Sequence, residues 1–291
     1  MLYVTYALNF LLMIAIPILL GWFLRKRWGL PWRLFFIGGV TFILSQVFHI
    51  PLNAGLTLAF RQNLLPGPPE AYRPLFNAVT LGLTAALTEE LARYFVLRTT
   101  LRHARTWRQA VMFGAGHGGV EAILLGILAG LAYVNLVLLR QSPDLLSGLP
   151  SEQLQLVNEQ LQAYWSAPWY LSLLGAVERV FALCVQISLA VLVMQSFLRR
   201  QLGWLFLAIV WHWVVDAVSV YSLPHLGPLG TEGIVALTAL ISLAIIFTLR
   251  SPESAEPAMP PEPTPPSADL PFAARDLTPD DDALDRSRYI S

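Results

Sequence analysis

Three apolar segments of the chain each carry a short group of ionisable side chains. These groups are TEELAR with Glu89, Glu90 and Arg93, GHGGVE with His117 and Glu121, and WHWVVD with His212 and Asp216. Residues three or four positions apart share one face of a helix, so each segment predicts a polar stripe. An ionisable group at the centre of a bilayer costs about 2.5 to 3.5 kcal/mol on insertion scales, so such a stripe needs a partner or a purpose.

The three groups lie at the same distance from the ends of their segments. Nine residues separate Glu89 from Arg98, Arg108 from His117, and Gly203 from His212. At ~1.5 Å of rise per residue, each group sits about 13 Å from the same boundary. The sequence therefore predicts one shared polar layer, formed by three separate helices.

Histidines and carboxylates in one layer are suited to activating water. In one mechanism, His117 and His212 bind a zinc ion together with Glu121 or Asp216, and the zinc activates the water. In another, Glu89 is the general base and the imidazoles stabilise an oxyanion without a metal. The residues alone leave both mechanisms open.

The ordered motifs EExxR, GHGGxE and HxxxD resemble those of the YhfC family of intramembrane proteases. They are also similar to the PrsW proteases and, more distantly, to the CAAX-processing and bacteriocin-processing group. The resemblance covers about residues 1–250 and implies hydrolysis of a peptide bond at or within the membrane. It implies that Glu89 activates water, and that the remaining motif residues complete the site: Glu90, Arg93, His117, Glu121, His212 and Asp216.

Two details of these motifs depart from the CAAX-processing pattern. That group usually spaces its arginine as EExxxR, and it often has asparagine at the position of Asp216. The PrsW pattern has the shorter spacing but a lysine in place of Arg93. Prenylated protein substrates are therefore not implied.

The composition predicts that lipid surrounds these segments. Of the 291 residues, 55% are hydrophobic and 13% are charged, whereas a soluble domain has roughly a quarter charged residues. The expected fold is an all-α polytopic transmembrane bundle of seven or eight spans. Seven apolar segments are long enough to cross a bilayer, at about 2–24, 34–58, 74–98, 108–139, 168–198, 203–221 and 231–249.

Basic residues recur in every second loop, as the positive-inside rule requires of cytoplasmic loops. This pattern predicts an N-terminus outside the cell membrane and a cytoplasmic C-terminus. The expected partners are the bilayer and a protein or peptide substrate, with no nucleic acid. The single cysteine, Cys184, excludes an intramolecular disulfide framework.

Two further regions differ from the spans. In the outer loop, apolar residues at helical spacing predict an amphipathic helix, either interfacial or packed on the bundle: Leu154, Val157, Leu161, Tyr164 and Trp165. Residues 251–291 are rich in proline and acids, which predicts a disordered tail. The expected organisation is thus a membrane domain at 1–250 and a tail at 251–291.

Other functions also fit a buried polar layer. A proton-coupled carrier needs buried acids and histidines, but carriers often contain internal repeats, and each motif here occurs once. A scaffold using the tail leaves the polar layer unexplained. His49, two residues before Pro51, is interpreted as part of a local kink. Glu178 and Arg179 are expected to pair with neighbouring helices or to lie near an interface.

Overall fold

Helices make up nearly all of the computed structural model, which describes residues 1–148 and 150–250. The α-helices are α1 (Leu2–Trp28), α2 (Trp32–Arg61), α3 (Arg73–Arg98), α4 (Trp107–Gln141), α5 (Ser151–Ser166), α6 (Leu174–Leu198) and α7 (Gly203–Thr248). These described ranges contain no β-strand. The predicted all-α fold is confirmed, and the predicted tail at 251–291 lies outside the described residues.

Five of the described helical segments are long and apolar enough to cross a membrane by themselves. They are Leu2–Trp28, Trp32–Arg61, Trp107–Gln141, Leu171–Leu198 and Gly203–Thr248. Helix α3 is 26 residues long, which also suffices to cross a bilayer, but its buried charges lower its hydropathy. The protein is therefore a multi-pass membrane protein whose least apolar span is the one that carries the paired glutamates.

Helix α7 bends sharply at Gly227. Its 46 residues would measure about 69 Å if straight, roughly twice the thickness of a hydrocarbon core. Gly227 has φ 66° and ψ 179°, a left-handed conformation that glycine adopts without a steric penalty. The sequence predicted separate spans at 203–221 and 231–249, and the chain does turn between them, at Gly227, while the residues around it stay helical.

The two arms of α7 run back along each other, which makes them two spans. Ser222 and Thr231, on either side of the bend, are joined by a hydrogen bond of 3.1 Å. Further along the arms, the indole N–H of Trp211 donates to the hydroxyl of Ser242 at 3.2 Å. With α3 and the other four apolar segments, the arms complete the seven predicted spans.

Helix α4 begins at a capping box and then packs closely against its neighbours. The Thr106 hydroxyl accepts from the Gln109 backbone N–H, and the Gln109 side chain accepts from the Thr106 backbone N–H. One turn before His117, a Cβ at Gly114 would lie 2.8 Å from the Cα of Ile187 in α6. Gly114 thus allows α4 and α6 to pack closely, as small residues do between membrane helices.

The amphipathic segment between α4 and α6 forms α5, as predicted, and contacts the start of α1. Tyr6 of α1 stacks on Tyr164 with ring centroids 3.9 Å apart, and its hydroxyl donates to the Tyr164 carbonyl at 2.8 Å. Arg140, at the end of α4, lies 4.7 Å from the centre of the Trp165 ring. These contacts attach the C-terminal part of α5 to the bundle.

Short connections make successive long helices antiparallel, so the bundle has two distinct ends. We call the end that carries α5 the α5 end; α2 finishes there and α3 starts there. We call the opposite end the basic end. It carries the connections at 29–31, 99–106 and 199–202, beside which most of the basic side chains of the spans cluster.

Candidate active site

Two adjacent glutamates of α3 share one arginine in the interior of the bundle. The Arg93 Nη1 donates to Glu90 Oε1 at 2.6 Å, and its Nη2 donates to Glu89 Oε2 at 3.4 Å. The side chains of Arg93 and Glu90 are fully buried, and that of Glu89 is 7% exposed. Removing one member of such a buried group leaves uncompensated charge, so the three residues form one electrostatic unit.

Two histidines from other helices complete the cluster. The Nε2 of His117 in α4 lies 3.1 Å from Glu89 Oε2. The Nδ1 of His212 in α7 lies 2.7 Å from Glu90 Oε1, while its Nε2 lies 4.0 Å from Glu89 Oε2. Each glutamate of the pair therefore contacts a different histidine.

Asp216 lies at the accessible edge of this cluster. Its Oδ2 is 3.4 Å from the Nε2 of His212, one helical turn earlier on α7. The Asp216 side chain is 35% exposed, against 3% for His212. The structure thus brings Glu89, Glu90, Arg93, His117, His212 and Asp216 together. We call these six residues the α3–α4–α7 cluster.

Glu121 faces a different partner. The Arg179 Nη1 of α6 donates to Glu121 Oε1 at 2.7 Å, and the Gln186 Nε2 donates to Glu121 Oε2 at 2.7 Å. Both carboxylate oxygens are therefore engaged with α6. Gln186 also accepts a hydrogen bond from Arg93 through its Oε1, so one buried amide connects Glu121 to the α3–α4–α7 cluster.

Helix α2 adds a row of polar side chains that leads to Glu89. Gln46 Nε2 donates to Glu89 Oε1 at 3.3 Å, and Gln46 Oε1 lies 3.2 Å from His49 Nδ1. Asn53 Nδ2 is 2.8 Å from His49 Nε2, and the Thr84 hydroxyl donates to Asn53 Oδ1 at 2.9 Å. The proline near His49 favoured a local kink as the role of this residue, and spacing alone did not connect α2 with the polar layer.

Spacing within the sequence contains a signal for these missed residues. Gln46, His49 and Asn53 are three and four positions apart, the interval that places side chains on one helical face. Arg179 and Gln186 are seven apart, two turns along α6. The sequence does not give the rotation of each helix about its own axis. This rotation determines whether a polar stripe on that helix faces the site.

The α3–α4–α7 cluster supplies the atom types that zinc prefers. Zinc is bound by imidazole nitrogens and carboxylate oxygens at about 2.0–2.2 Å in tetrahedral sites, which places ligand atoms ~3.3–3.5 Å from one another. Between two of the possible ligands, His212 Nε2 and Asp216 Oδ2, the separation is 3.4 Å, which matches that value. No three such side chains within residues 1–148 and 150–250 already form a metal-binding group, so binding would require side-chain movements.

Two features of the histidines support the fit. The Nδ1 of His212 faces Glu90, the contact by which a carboxylate typically orients a metal-binding imidazole. The Nδ1 of His117 is buried and has no hydrogen-bond partner within the described part of the chain. A buried polar atom of this kind calls for a water or an ion. The donor types present therefore suit a metal, with the Nε2 atoms of both histidines facing Glu89.

Comparison with known proteins identifies the family. The model of the YhfC intramembrane metalloprotease family matches residues 12–239, a range that contains the whole α3–α4–α7 cluster. The chain belongs to this family. The YhfC membrane protein of Bacillus subtilis (strain 168), described as uncharacterized, is 32% identical over 221 residues, which cover 74% of this chain and 81% of that protein.

Membership of the YhfC family confirms the resemblance seen in the EExxR, GHGGxE and HxxxD motifs. No solved structure gives a significant match to the chain. The likeness to the PrsW and CAAX-processing groups stays a prediction. The family's description as metalloproteases agrees with a site rich in histidine and carboxylate.

Proposed function

We propose that the chain hydrolyses a peptide bond of a membrane-associated protein or peptide at the α3–α4–α7 cluster, with zinc as cofactor. The observation that carries this proposal is the contact of Glu89 with His117, at 3.1 Å, beside His212. Family membership supports the same reaction class. The expected substrate segment lies at or within the bilayer, since the site is buried in a membrane bundle.

His117, His212 and Asp216 are the residues that would hold the zinc. Two imidazoles and one carboxylate would be a ligand set typical of zinc sites that catalyse hydrolysis. Asp216 is favoured over Glu121 because both oxygens of Glu121 already accept hydrogen bonds from α6. When bound, zinc acts as a Lewis acid that polarises a carbonyl and makes water easier to deprotonate.

Glu89 is proposed as the general base. Its Oε2 faces His117 and its Oε1 accepts from Gln46, so the carboxylate is held at the centre of the cluster. It takes a proton from the attacking water at Oε2, and it returns this proton to the leaving amide nitrogen. Arg93 holds the carboxylate in position, while Glu90 orients the His212 ring.

A cytoplasmic C-terminus and an N-terminus outside the cell membrane complete the proposal. The basic end then faces the cytoplasm, in agreement with the positive-inside rule. Glu89, nine residues from Arg98, lies about 13 Å below that surface. The bond that is cleaved is thus expected in the cytoplasmic half of the bilayer.

Cleavage of single-span model peptides tests the function and its metal requirement together. We expect the full chain, reconstituted in vesicles, to produce new peptide termini detectable by mass spectrometry. Removal of metal with a membrane-permeable chelator should lower the rate at least tenfold, a loss of about 1.4 kcal/mol or more in transition-state stabilisation, and added zinc should restore it. Cleavage that persists undiminished in chelator would instead favour the mechanism that uses glutamate alone.

A further inference from the structure

A polar cavity opens between α2 and α3 at the α5 end of the bundle. Its volume is about 770 Å³, within the range of roughly 300–1,000 Å³ typical of ligand sites. Its walls are mixed. Apolar side chains such as Leu56, Phe60 and Phe76 alternate with amides, hydroxyls and guanidinium groups, from Asn53, Thr57, Arg61, Arg73, Asn77 and Thr80.

The inner wall of this cavity connects to the candidate general base. Asn53 lines the cavity, and its Nδ2 is 2.8 Å from His49. From His49 the polar row continues through Gln46 to Glu89, with separations of 3.2 and 3.3 Å. A row of hydrogen-bonded side chains therefore connects the cavity with the α3–α4–α7 cluster.

Amides and hydroxyls at this position suit an extended polypeptide. A membrane helix must unwind locally before one of its peptide bonds can be attacked, and each backbone group freed in lipid costs several kcal/mol. Asn77 offers donors and an acceptor, and Thr80 offers a hydroxyl. The Thr57 hydroxyl donates to the Asn53 carbonyl, which leaves its oxygen able to accept. Such a wall can form hydrogen bonds with the backbone groups that the unwound substrate helix exposes.

The charge of the cavity favours an acidic segment. Arg61 and Arg73 line its rim and are exposed. Glu70 lies 4.0 Å from Arg73 but is 90% exposed, so this pair is weak. Because no buried acid of residues 1–148 and 150–250 forms a salt bridge with either guanidinium group, both groups can attract carboxylates.

We propose that the cavity between α2 and α3 receives an unwound substrate segment whose flank at the α5 end is acidic, and directs it toward Glu89. This inference rests on the proposed function in treating the peptide as a substrate. Arg61 and Arg73 then determine which peptides are accepted. Residues 46, 49 and 53 line the path along which the backbone approaches the site.

Disulfide trapping tests the proposal without requiring cleavage. The full chain carries Asn77→Cys together with Cys184→Ala and Glu89→Gln, in phosphatidylcholine vesicles. The probes are two synthetic single-span peptides with a cysteine in the flank that lies at the α5 end, next to three aspartates or three lysines. Under copper–phenanthroline oxidation, we expect the acidic peptide to cross-link about fivefold more than the basic one.

Two matched variants make the trapping result specific. Adding Arg61→Gln and Arg73→Gln should bring the two peptides to nearly equal cross-linking. Moving the cysteine to Leu91, an exposed position of α3 beyond Glu89, should give little cross-linking with either peptide. The introduced side chains, glutamine and cysteine, are polar or small. The thermal transition of each variant checks that it is correctly folded.

Three outcomes overturn the proposal. Equal trapping of both peptides by Asn77→Cys removes the acidic preference, and a preference that survives both arginine substitutions removes the role of the arginines. Loss of trapping when phosphatidylglycerol is added assigns the cavity to an anionic lipid instead. If trapping occurs as expected but the wild-type chain never cleaves a peptide, the proposed binding of peptides in the cavity is retained and the proposed hydrolysis is refuted. The two failures are therefore distinguishable.

Discussion

Glu89→Gln is expected to lower the rate of peptide cleavage by about 10²- to 10⁴-fold, the usual contribution of a general base. The amide has nearly the same shape as the carboxylate, and its single oxygen can replace one of the two that accept from Gln46 and Arg93, but it cannot take a proton from water. The measurement is the initial rate of new termini from a model peptide in vesicles, at equal amounts of folded protein.

Glu152→Gln provides the matched control, because it makes the same change on the exposed face of α5. Its cleavage rate should stay within about twofold of wild type, as surface substitutions usually change little. Thermal unfolding of both variants checks that the bundle is intact. A Glu89→Gln protein that cleaves at the wild-type rate would remove Glu89 from the role of general base.

Arg93→Met is expected to destabilise the bundle by about 3–5 kcal/mol, the cost of breaking a buried ion pair by removing one partner. Methionine fills part of the space, but Glu89, Glu90 and Gln186 all lose a donor. Buried carboxylates without compensation must then be protonated or move toward solvent. Reversible unfolding in mixed micelles measures the change in the free energy of unfolding.

Arg98→Met is the control for Arg93→Met, since Arg98 is exposed at the end of the same helix. This variant should change the free energy of unfolding by less than about 0.5 kcal/mol. The double variant Glu90→Gln with Arg93→Met should recover part of the loss, because it removes one of the two uncompensated charges. Equal stability of Arg93→Met and wild type would show that the arginine compensates no buried charge.

The sequence predicted the spans well because lipid imposes a simple requirement. A crossing helix needs about 20 apolar residues, and the observed bounds of α1, α2 and α4 extend the predicted ranges by only a few residues. The bend of α7 was less predictable. Pro224 and Pro228 favour a break, but the helix accommodates both and concentrates the turn at Gly227.

The candidate site was predictable in part, for a geometric reason. Spacing along one helix shows which side chains share a face, and depth shows which helices can meet at one level; both arguments led to Glu89, His117 and His212. Neither argument shows which way a face points. Glu121 shares a face with His117 by spacing, yet it meets Arg179 of α6 because that helix packs beside α4.

Contacts between helices also explain why α2 was overlooked. His49 alone is an ordinary polar residue next to a proline. Its importance depends on Gln46, which reaches Glu89 only because α2 lies against α3. A sequence without known helix neighbours cannot supply that pairing.

Metal content tests the central claim most directly, since the proposed chemistry needs His117 and His212 as ligands to one ion. The measurement is zinc per chain by mass spectrometry after purification without chelators, for wild type, His117→Ala and His212→Ala, each checked for folding. We expect about one zinc per wild-type chain and nearly none in either folded variant, as a three-ligand zinc site predicts. Wild-type protein without zinc, or zinc retained in both variants, would contradict the proposed site.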